Sequence, residues 1–258
     1  MKVVILCGGR GTRMKEETEF KPKPLVEIGD RPILWHIMKI YAHYGLSDFI
    51  LCLGYKGNLI KEYFLNYEAM NNDFTVHLGS HNRFDFHSKH SEHGWKVTLV
   101  DTGEESQTGS RIKKIEKYLD GEPFMVTYGD GVADINIKKL LDFHRSHGLS
   151  GTVTGVHPSS RFGEILLQDS KVVDFNEKPQ VKKGFINGGF FVFENEVLNY
   201  LSPDDDCYLE REPLERLASD GKLMAYIHEG FWQSVDTYRE LERLNALWKS
   251  VNPPWKVW

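Results

Sequence analysis

Short apolar runs recur along the chain and alternate with segments whose apolar residues follow a helical period. We predict strands where apolar residues stand together, and helices where they recur every three or four positions. In residues 1–156 the predicted strands are Lys2–Cys7, Phe49–Leu53, Phe74–Leu78, Val97–Val100, Phe124–Tyr128 and Thr152–Val156, and the predicted helices are Ile33–Tyr44, Leu59–Tyr67, Ile112–Tyr118 and Ile137–His147. This alternation predicts a mostly parallel, doubly wound sheet with helices on both faces.

The pattern changes in the second half of the chain. Short predicted strands at Glu164–Leu167 and Val172–Asn176 precede a longer apolar strand at Phe185–Phe193. Two further helices are predicted at Glu212–Ser219 and Thr237–Val251. No linker, repeat or low-complexity tract divides the sequence. We therefore predict a single-domain α/β protein, with a Rossmann-like mixed sheet and a smaller β-rich part.

A glycine-rich loop with several cations follows the first predicted strand. The run Gly8-Gly9-Arg10-Gly11-Thr12-Arg13 leads to Lys21-Pro22-Lys23-Pro24. Glycines let backbone amides approach a ligand closely, and Arg and Lys side chains donate to phosphate oxygens. The spacing matches neither the dinucleotide-binding fingerprint nor the Walker motif, because Arg10, Arg13 and Met14 stand where these motifs need glycine. The loop predicts a polyphosphate site of another kind.

Two aspartates are candidates for cation binding. Asp130 lies between two glycines just after the predicted strand Phe124–Tyr128, and ligands of open α/β sheets bind outside such strand ends. A carboxylate there holds Mg²⁺ through its oxygens or serves only as a turn residue, and spacing alone favours neither role. Asp236 precedes the last predicted helix, where its position by itself favours an N-cap.

These stretches resemble the sugar-phosphate nucleotidyltransferases, also called nucleotide-sugar pyrophosphorylases. The resemblance rests on Gly-Gly-x-Gly-Thr-Arg at 8–13 and Lys-Pro-Lys-Pro-Leu-Val-Glu-Ile at 21–28, and it extends over nearly the whole chain. The stretches 29–41 and 187–236 are most similar to the cytidylyltransferase branch, which acts on glucose 1-phosphate.

The resemblance implies roles that the pattern alone leaves open. The implied catalytic residues are Arg13 and Lys23, which contact phosphates, and Asp130 and Asp236, which hold Mg²⁺. The implied CTP-binding residues are Leu6, Cys7, Gly8, Gly9, Gly11, Thr12, Thr108, Arg111 and Gly129. The residues implied to bind glucose 1-phosphate are Glu177, Lys178, Asn187, Gly188 and Trp232, although taken alone these fit a turn, a hairpin and a core tryptophan equally well. Residues 1–150 would form mainly the nucleotide part and 151–258 mainly the sugar-phosphate part.

The implied reaction is Mg²⁺-dependent transfer of CMP from CTP to α-D-glucose 1-phosphate, which gives CDP-glucose and pyrophosphate. The product would supply dideoxysugars for O-antigen (lipopolysaccharide) biosynthesis, and the branch suggests a homo-oligomer, specifically a hexamer. Two alternatives stay open: the same chemistry with UTP or dTTP, and a non-catalytic nucleotide-sugar sensor or regulatory subunit. The joint presence of Arg13, Lys23, Asp130 and Asp236 argues against the sensor.

Composition narrows the class of protein. The net charge of −5, with no basic block outside the glycine loop, argues against nucleic-acid binding. No apolar run approaches the roughly 20 residues of a membrane span, and no signal peptide precedes the first strand, so we expect a cytoplasmic protein without a membrane partner. Cys7, Cys52 and Cys207 are odd in number and far apart, which favours reduced thiols over disulfides.

The segment 79–95 is polar and carries four histidines, at positions 81, 87, 90 and 93. Their spacing matches no compact zinc-ligand pattern, and no cysteine accompanies them. We expect a mobile, solvated insertion, and the sequence leaves open whether it serves as a lid or as an oligomer contact.

Overall fold

A seven-stranded sheet organises the fold in the computed structural model, which describes residues 1–14, 18–79, 83–157, 164–168, 171–176 and 184–258. All neighbouring strands are parallel except β13, which runs antiparallel to both of its neighbours. The predicted mixed, mostly parallel sheet is therefore confirmed. In spatial order the strands are β14 (Leu223–His228), β10 (Gly151–Val156), β13 (Ile186–Phe193), β8 (Phe124–Tyr128), β1 (Lys2–Cys7), β4 (Asp48–Leu53) and β7 (Lys96–Asp101).

Shorter elements surround this sheet within the described ranges. Antiparallel ribbons form between β2 (Glu27–Ile28) and β3 (Arg31–Pro32), β5 (Phe74–His77) and β6 (Arg83–Phe86), β9 (Gly131–Ala133) and β15 (Trp232–Ser234), and β11 (Glu164–Gln168) and β12 (Lys171–Asn176). The helices are α1 (Ile33–His43), α2 (Gly57–Leu65), α3 (Tyr67–Asn71), α4 (Thr108–Lys114), α5 (Ile137–His147), α6 (Glu212–Ser219) and α7 (Tyr238–Trp248).

Helices cover both faces of the sheet, as predicted. Successive residues of a strand point to opposite faces, so β1 contributes to two separate hydrophobic clusters. Val3 and Ile5 pack in one cluster, together with residues of α1, α5 and α7. Val4 and Leu6 pack in the other, together with residues of α4 and α6. A strand buried on both sides reads as a continuous apolar run, which is why β1 was recognisable from sequence.

Three predicted helices differ in extent by more than one residue, and one main strand was not predicted. The helix predicted at Leu59–Tyr67 is divided into α2 and α3. The helix predicted at Ile112–Tyr118 begins earlier, as α4 (Thr108–Lys114), and is followed by a separate 3-10 turn at Glu116–Tyr118. The helix predicted at Thr237–Val251 is the shorter α7. Strand β14 pairs with β10 at the edge of the sheet, where Met224 and Ile227 are exposed. Residues 223–227, Leu-Met-Ala-Tyr-Ile, form a continuous apolar run, so this strand could have been recognised from the sequence.

The segment 79–95 is more structured than predicted. Arg83–Phe86 forms strand β6, which pairs with β5, and the side chain of Glu92 is buried against Lys39 at a distance of 3.3 Å. The prediction of a solvated segment is therefore wrong for Glu92, while the side chains of Arg83, Phe84 and Phe86 are exposed as predicted. The ribbon forms because alternate residues share one face, so that Phe74, Phe84 and Phe86 pack together.

The three cysteines are free thiols, as predicted, with Cys7 and Cys52 buried in neighbouring strands. Burial raises the pKa of Cys52 to about 12 and raises the pKa of Cys7 well above its ordinary value. Both side chains therefore act as small apolar groups. In the part of the chain that the structure describes, no helix combines the length and the apolar content that crossing a bilayer requires.

The C-terminal segment is anchored to α1 through a buried histidine. The indole N–H of Trp255 donates to Nδ1 of His36 at 3.3 Å, and Nε2 of His36 donates to the carbonyl of Ile28 at 2.9 Å. Neither Trp255 nor His36 is exposed to solvent. Burial lowers the pKa of His36 to about 4, so the ring is neutral near pH 7.

We expect the burial of His36 to make the protein sensitive to acid. Because the folded-state pKa lies below the ordinary value of 6.5, the unfolded chain binds this proton more readily. The stabilisation is complete above pH 6.5 and is lost as the pH falls toward 4, by about 3 kcal/mol in total. The measurement is urea unfolding of the wild type and of His36→Gln between pH 4 and 7.5. The difference between their free energies of unfolding should shrink as the pH falls.

The exposed His43 on the same helix provides the control, because His43→Gln should track the wild type at every pH. A difference between wild type and His36→Gln that does not change with pH would contradict the assignment.

Candidate active site

A cavity of about 210 Å³ lies at the carboxyl ends of β1 and β8, bordered by the start of α4. Among the predicted catalytic residues, Lys23 and Asp130 line it. Every predicted CTP-binding residue except Thr12 lines it as well, namely Leu6, Cys7, Gly8, Gly9, Gly11, Thr108, Arg111 and Gly129. The loops that follow two neighbouring parallel strands therefore meet at one place, as the strand-end argument predicted.

The two remaining residues of the glycine loop lie beside this cavity. Thr12 borders an adjacent surface cavity, together with Arg10, Thr18 and Tyr55. The backbone of Arg13 lies in the single 3-10 turn Thr12–Met14, and its side chain lies outside the described part of the structure. The role predicted for Arg13 thus stays a prediction.

Lys23 joins the two predicted metal-binding aspartates. Its Nζ lies 2.7 Å from Oδ2 of Asp130 and 2.7 Å from Oδ1 of Asp236. The lysine side chain is mostly buried, with an exposed fraction of 12%. Burial on its own lowers the pKa of Lys23, but the charges and hydrogen bonds of Asp130 and Asp236 outweigh it and raise the pKa above the ordinary value. The ammonium is therefore firmly held in its charged form.

The ribbon of β9 and β15 brings the two aspartates together. Asp130 directly precedes β9, and Asp236 lies two residues after β15. The strands pair so that Gly131 lies opposite Ser234, and the N–H of Val235 donates to the carbonyl of Asp130 at 2.8 Å. The separation of the two carboxylates is thus set by backbone pairing rather than by flexible loops.

Asp236 is not the N-cap of the last helix, which corrects the role that its position favoured. Oγ1 of Thr237 accepts from the N–H of Glu240, and the Glu240 carboxylate accepts from the N–H of Asp236 at 2.7 Å and of Thr237 at 2.8 Å. This capping box satisfies the helix terminus without the Asp236 carboxylate. That carboxylate instead points to Lys23.

Arg111 holds several loops of the cavity together through a buried guanidinium group. Its Nη1 donates to the carbonyls of Leu53 and Gly103 and to the hydroxyl of Thr102, at 2.7–3.0 Å. Its Nη2 donates to the carbonyls of Gly8 at 3.1 Å and Glu104 at 3.3 Å. Burial lowers its pKa below the ordinary value of 12.5. Arg111 borders the predicted nucleotide site and, at the same time, fixes its walls.

Two glycines make room for this guanidinium. A Cβ added to Gly8 would lie 2.1 Å from Arg111, and one added to Gly54 would lie 2.6 Å from it. Glycine at these two positions is therefore required by close packing against Arg111.

The structure describes some of the residues that were predicted to bind the sugar phosphate. Asn187 stands near the start of β13 and donates from Nδ2 to the hydroxyl of Tyr128 at 3.0 Å. The half-buried Trp232 packs on the core and donates from its indole N–H to the carbonyl of Gly188 at 2.7 Å. Glu177 and Lys178 lie outside the described residues. Asn187 therefore contacts Tyr128, which lines the cavity, and Trp232 contacts the neighbouring Gly188.

Sequence reasoning missed Tyr128 and Glu210 as site residues. Tyr128 ends β8 and lines the cavity, and its hydroxyl donates to the Glu210 carboxylate at 2.5 Å. Burial, followed by the charge of Glu210, raises its pKa far above the ordinary value, so the hydroxyl stays a donor. The position of Tyr128 at a strand end could have revealed it. Glu210 lies between elements, and no local signal marks it.

Known proteins resemble this chain over its full length. The family model for nucleotidyl transferases matches residues 2–250. The chain belongs to that family. Curated glucose-1-phosphate cytidylyltransferases from Salmonella typhi and Salmonella typhimurium are each 51% identical to it over 100% of both chains. The crystal structure of HddC from Yersinia pseudotuberculosis superimposes with a TM-score of 0.70 at 24% identity, and the match covers 96% of this nucleotidyltransferase and 99% of HddC.

We expect Arg111→Lys to destabilise this nucleotidyltransferase. A lysine ammonium cannot reproduce the planar fork that contacts five acceptors, so the carbonyls of Gly103 and Glu104 would lose the donor that Arg111 supplies. The expected loss in unfolding free energy is at least about 2 kcal/mol. Urea denaturation measures it, with Arg145→Lys on the exposed face of α5 as the matched control. Equal stability of the two variants would show that Arg111 does not organise the cavity.

Proposed function

We propose that this nucleotidyltransferase is a glucose-1-phosphate cytidylyltransferase, which converts CTP and α-D-glucose 1-phosphate into CDP-glucose and pyrophosphate. The observation that carries the proposal is the 51% identity to enzymes of that name over the whole length of both chains. The arrangement of the cavity supports it, since glycine-loop amides, Lys23 and paired carboxylates meet at one sheet edge.

In the proposed reaction a phosphate oxygen of the sugar phosphate attacks the α-phosphorus of CTP. The bond from this phosphorus to the β-phosphate oxygen breaks, and pyrophosphate leaves. Because the nucleophile is already an anion, no side chain has to remove a proton from it. The buried Cys7 thiol, whose pKa is raised, is correspondingly unsuited to act as a nucleophile.

The protein must therefore position two anions and neutralise their charge. In our proposal the amides of Gly8, Gly9 and Gly11 and the Lys23 ammonium hold the β- and γ-phosphates of CTP. Arg13 stabilises charge that develops on the reacting phosphate. Thr108 and Arg111 would border the nucleoside, as their place in the cavity wall suggests.

Asp130 and Asp236 have the chemistry that a magnesium ion requires. Their oxygens are hard ligands, and both carboxylates already point toward one positive charge, the Lys23 ammonium. Within the described ranges no group of three or more His, Cys, Asp or Glu side chains forms a metal site, so substrate phosphates would complete the coordination. Mg²⁺ bound there would neutralise negative charge on both substrates.

The sugar-phosphate side of the proposed site comprises Glu177, Lys178, Asn187, Gly188 and Trp232. Asn187 is the member best placed to support this, because it contacts Tyr128 at the border of the nucleotide cavity. We accordingly propose that residues 1–150 bind mainly the nucleotide and residues 151–258 mainly the sugar phosphate.

We also propose a cytoplasmic homo-oligomer, with the hexamer of the cytidylyltransferase branch as the expected state. The three free cysteines suit a reducing compartment. The apolar face of the β5–β6 ribbon, formed by Phe74, Val76, Phe84 and Phe86, is exposed and would be covered by a second copy. In a bacterium the product would supply dideoxysugars of the O-antigen.

The oligomer is tested by size-exclusion chromatography with light scattering. Phe84→Ser should lower the mass of the assembly, because it removes apolar surface from the contact. Asp85→Asn on the opposite face of the ribbon should leave the mass unchanged. A wild-type mass equal to that of one chain would refute the proposed assembly.

The reaction is tested by pyrophosphate release with α-D-glucose 1-phosphate and Mg²⁺, with CTP, UTP, dTTP, ATP and GTP offered in parallel. We expect strong preference for CTP. Preference for UTP or dTTP would be consistent with the proposed mechanism but would show that CTP is not the nucleotide substrate. Release with none of the five would refute the proposed function.

We expect Asp130→Asn and Asp236→Asn each to lower kcat by at least about 100-fold, because each removes a charge that the transition state requires. Circular dichroism should show an unchanged fold. Asp142→Asn on the exposed side of α5 is the control and should keep full activity. Near-normal Mg²⁺-dependent turnover in both site variants would rule out these ligands.

A further inference from the structure

Glu210 lies at the exposed rim of the candidate active site, and both of its carboxylate oxygens accept hydrogen bonds from site residues. Oε1 accepts from the hydroxyl of Tyr128 at 2.5 Å, and Oε2 accepts from the hydroxyl of Thr108 at 2.6 Å. These two donors come from different walls of the cavity, namely the end of β8 and the start of α4. An ionised carboxylate accepts only, so it fixes the direction of both hydrogen bonds.

The chain of hydrogen bonds continues from Tyr128 to the predicted sugar side. Because the Tyr128 proton is directed to Glu210, the oxygen of this hydroxyl is left to accept from Nδ2 of Asn187 at 3.0 Å. The Oδ1 atom of Asn187 in turn accepts from the N–H of Gly189 at 2.9 Å. These two contacts determine which way the Asn187 amide faces.

The Tyr128 ring has little freedom to leave this arrangement. Gly189 has a φ of +77°, and a Cβ added there would lie 2.4 Å from the ring. On its other side the ring packs edge-on against Phe191, with centroids 5.8 Å apart. The position of the Tyr128 ring therefore requires glycine at position 189, and in this position its hydroxyl contacts Glu210 and Asn187.

We propose that Glu210 is a positioning residue for the sugar-phosphate substrate. By accepting the Tyr128 proton it leaves the tyrosine oxygen to accept from Nδ2 of Asn187, and this contact fixes the Asn187 amide together with the N–H of Gly189. The inference rests on the proposed function, since it assigns Asn187 to glucose 1-phosphate. It goes beyond that function by adding a residue that acts through Tyr128 and Asn187.

The experiment measures KM for both substrates and kcat in Glu210→Ala, Glu210→Gln and Tyr128→Phe. Glu210→Ala removes the acceptor and should raise KM for glucose 1-phosphate about 10-fold, with KM for CTP changed less than about 3-fold. Tyr128→Phe should have a similar effect. Glu210→Gln keeps one acceptor oxygen and should restore most of the loss.

Combination of Glu210→Ala with Tyr128→Phe tests whether the two residues act through one bond. KM for glucose 1-phosphate in the double variant should be no higher than in Tyr128→Phe alone, since loss of the hydroxyl already removes its hydrogen bonds to both Glu210 and Asn187. Glu212→Ala, two positions along and exposed beside Arg216, is the matched control and should behave as the wild type.

Two results would overturn the proposal. One is a KM for glucose 1-phosphate in Glu210→Ala within about 2-fold of the wild type. The other is an equal rise in both KM values with a lowered melting temperature, which would assign Glu210 a general structural role. Failure of the proposed function is recognised separately, because the wild type itself would then release no pyrophosphate from CTP.

Discussion

Two carboxylates of like charge lie side by side in this protein because a buried ammonium separates them. Lys23 reaches Asp130, 107 positions further along the chain, and Asp236, 213 positions further. The charge of the ammonium offsets the repulsion between the two carboxylates. The contact therefore joins three distant segments and, at the same time, keeps two anionic oxygen ligands available at the mouth of the cavity.

The cavity beside this ion pair depends on a second buried cation. The guanidinium group of Arg111 donates hydrogen bonds to carbonyls of the glycine loop, of the end of β4 and of residues 103–104. Carbonyls that point inward to Arg111 leave the peptide groups of the loop in fixed orientations. A rigid wall of this kind suits phosphate binding, since preorganised donors need no rearrangement when charge develops.

The antiparallel strand β13 explains how the two halves of the chain share one site. Parallel strands bring their carboxyl ends to one edge of a sheet, and an antiparallel strand brings its amino end there. Asn187, near the start of β13, therefore lies beside Tyr128, at the end of β8. Residues implied in sugar and nucleotide binding meet across this pair, and Glu210 links the same tyrosine to Thr108.

The sequence by itself determined the buried strands, the mostly parallel sheet, the glycine loop and the place of Asp130, because continuous apolar runs and strand ends are local features. Tertiary structure alone decided that Asp236 faces Lys23 while Thr237 caps the helix. It also decided that the guanidinium group of Arg111 donates hydrogen bonds to backbone carbonyls, and that Glu210 accepts hydrogen bonds from both Tyr128 and Thr108. These features depend on contacts between distant segments or on exposed positions, and neither leaves a periodic trace in the sequence.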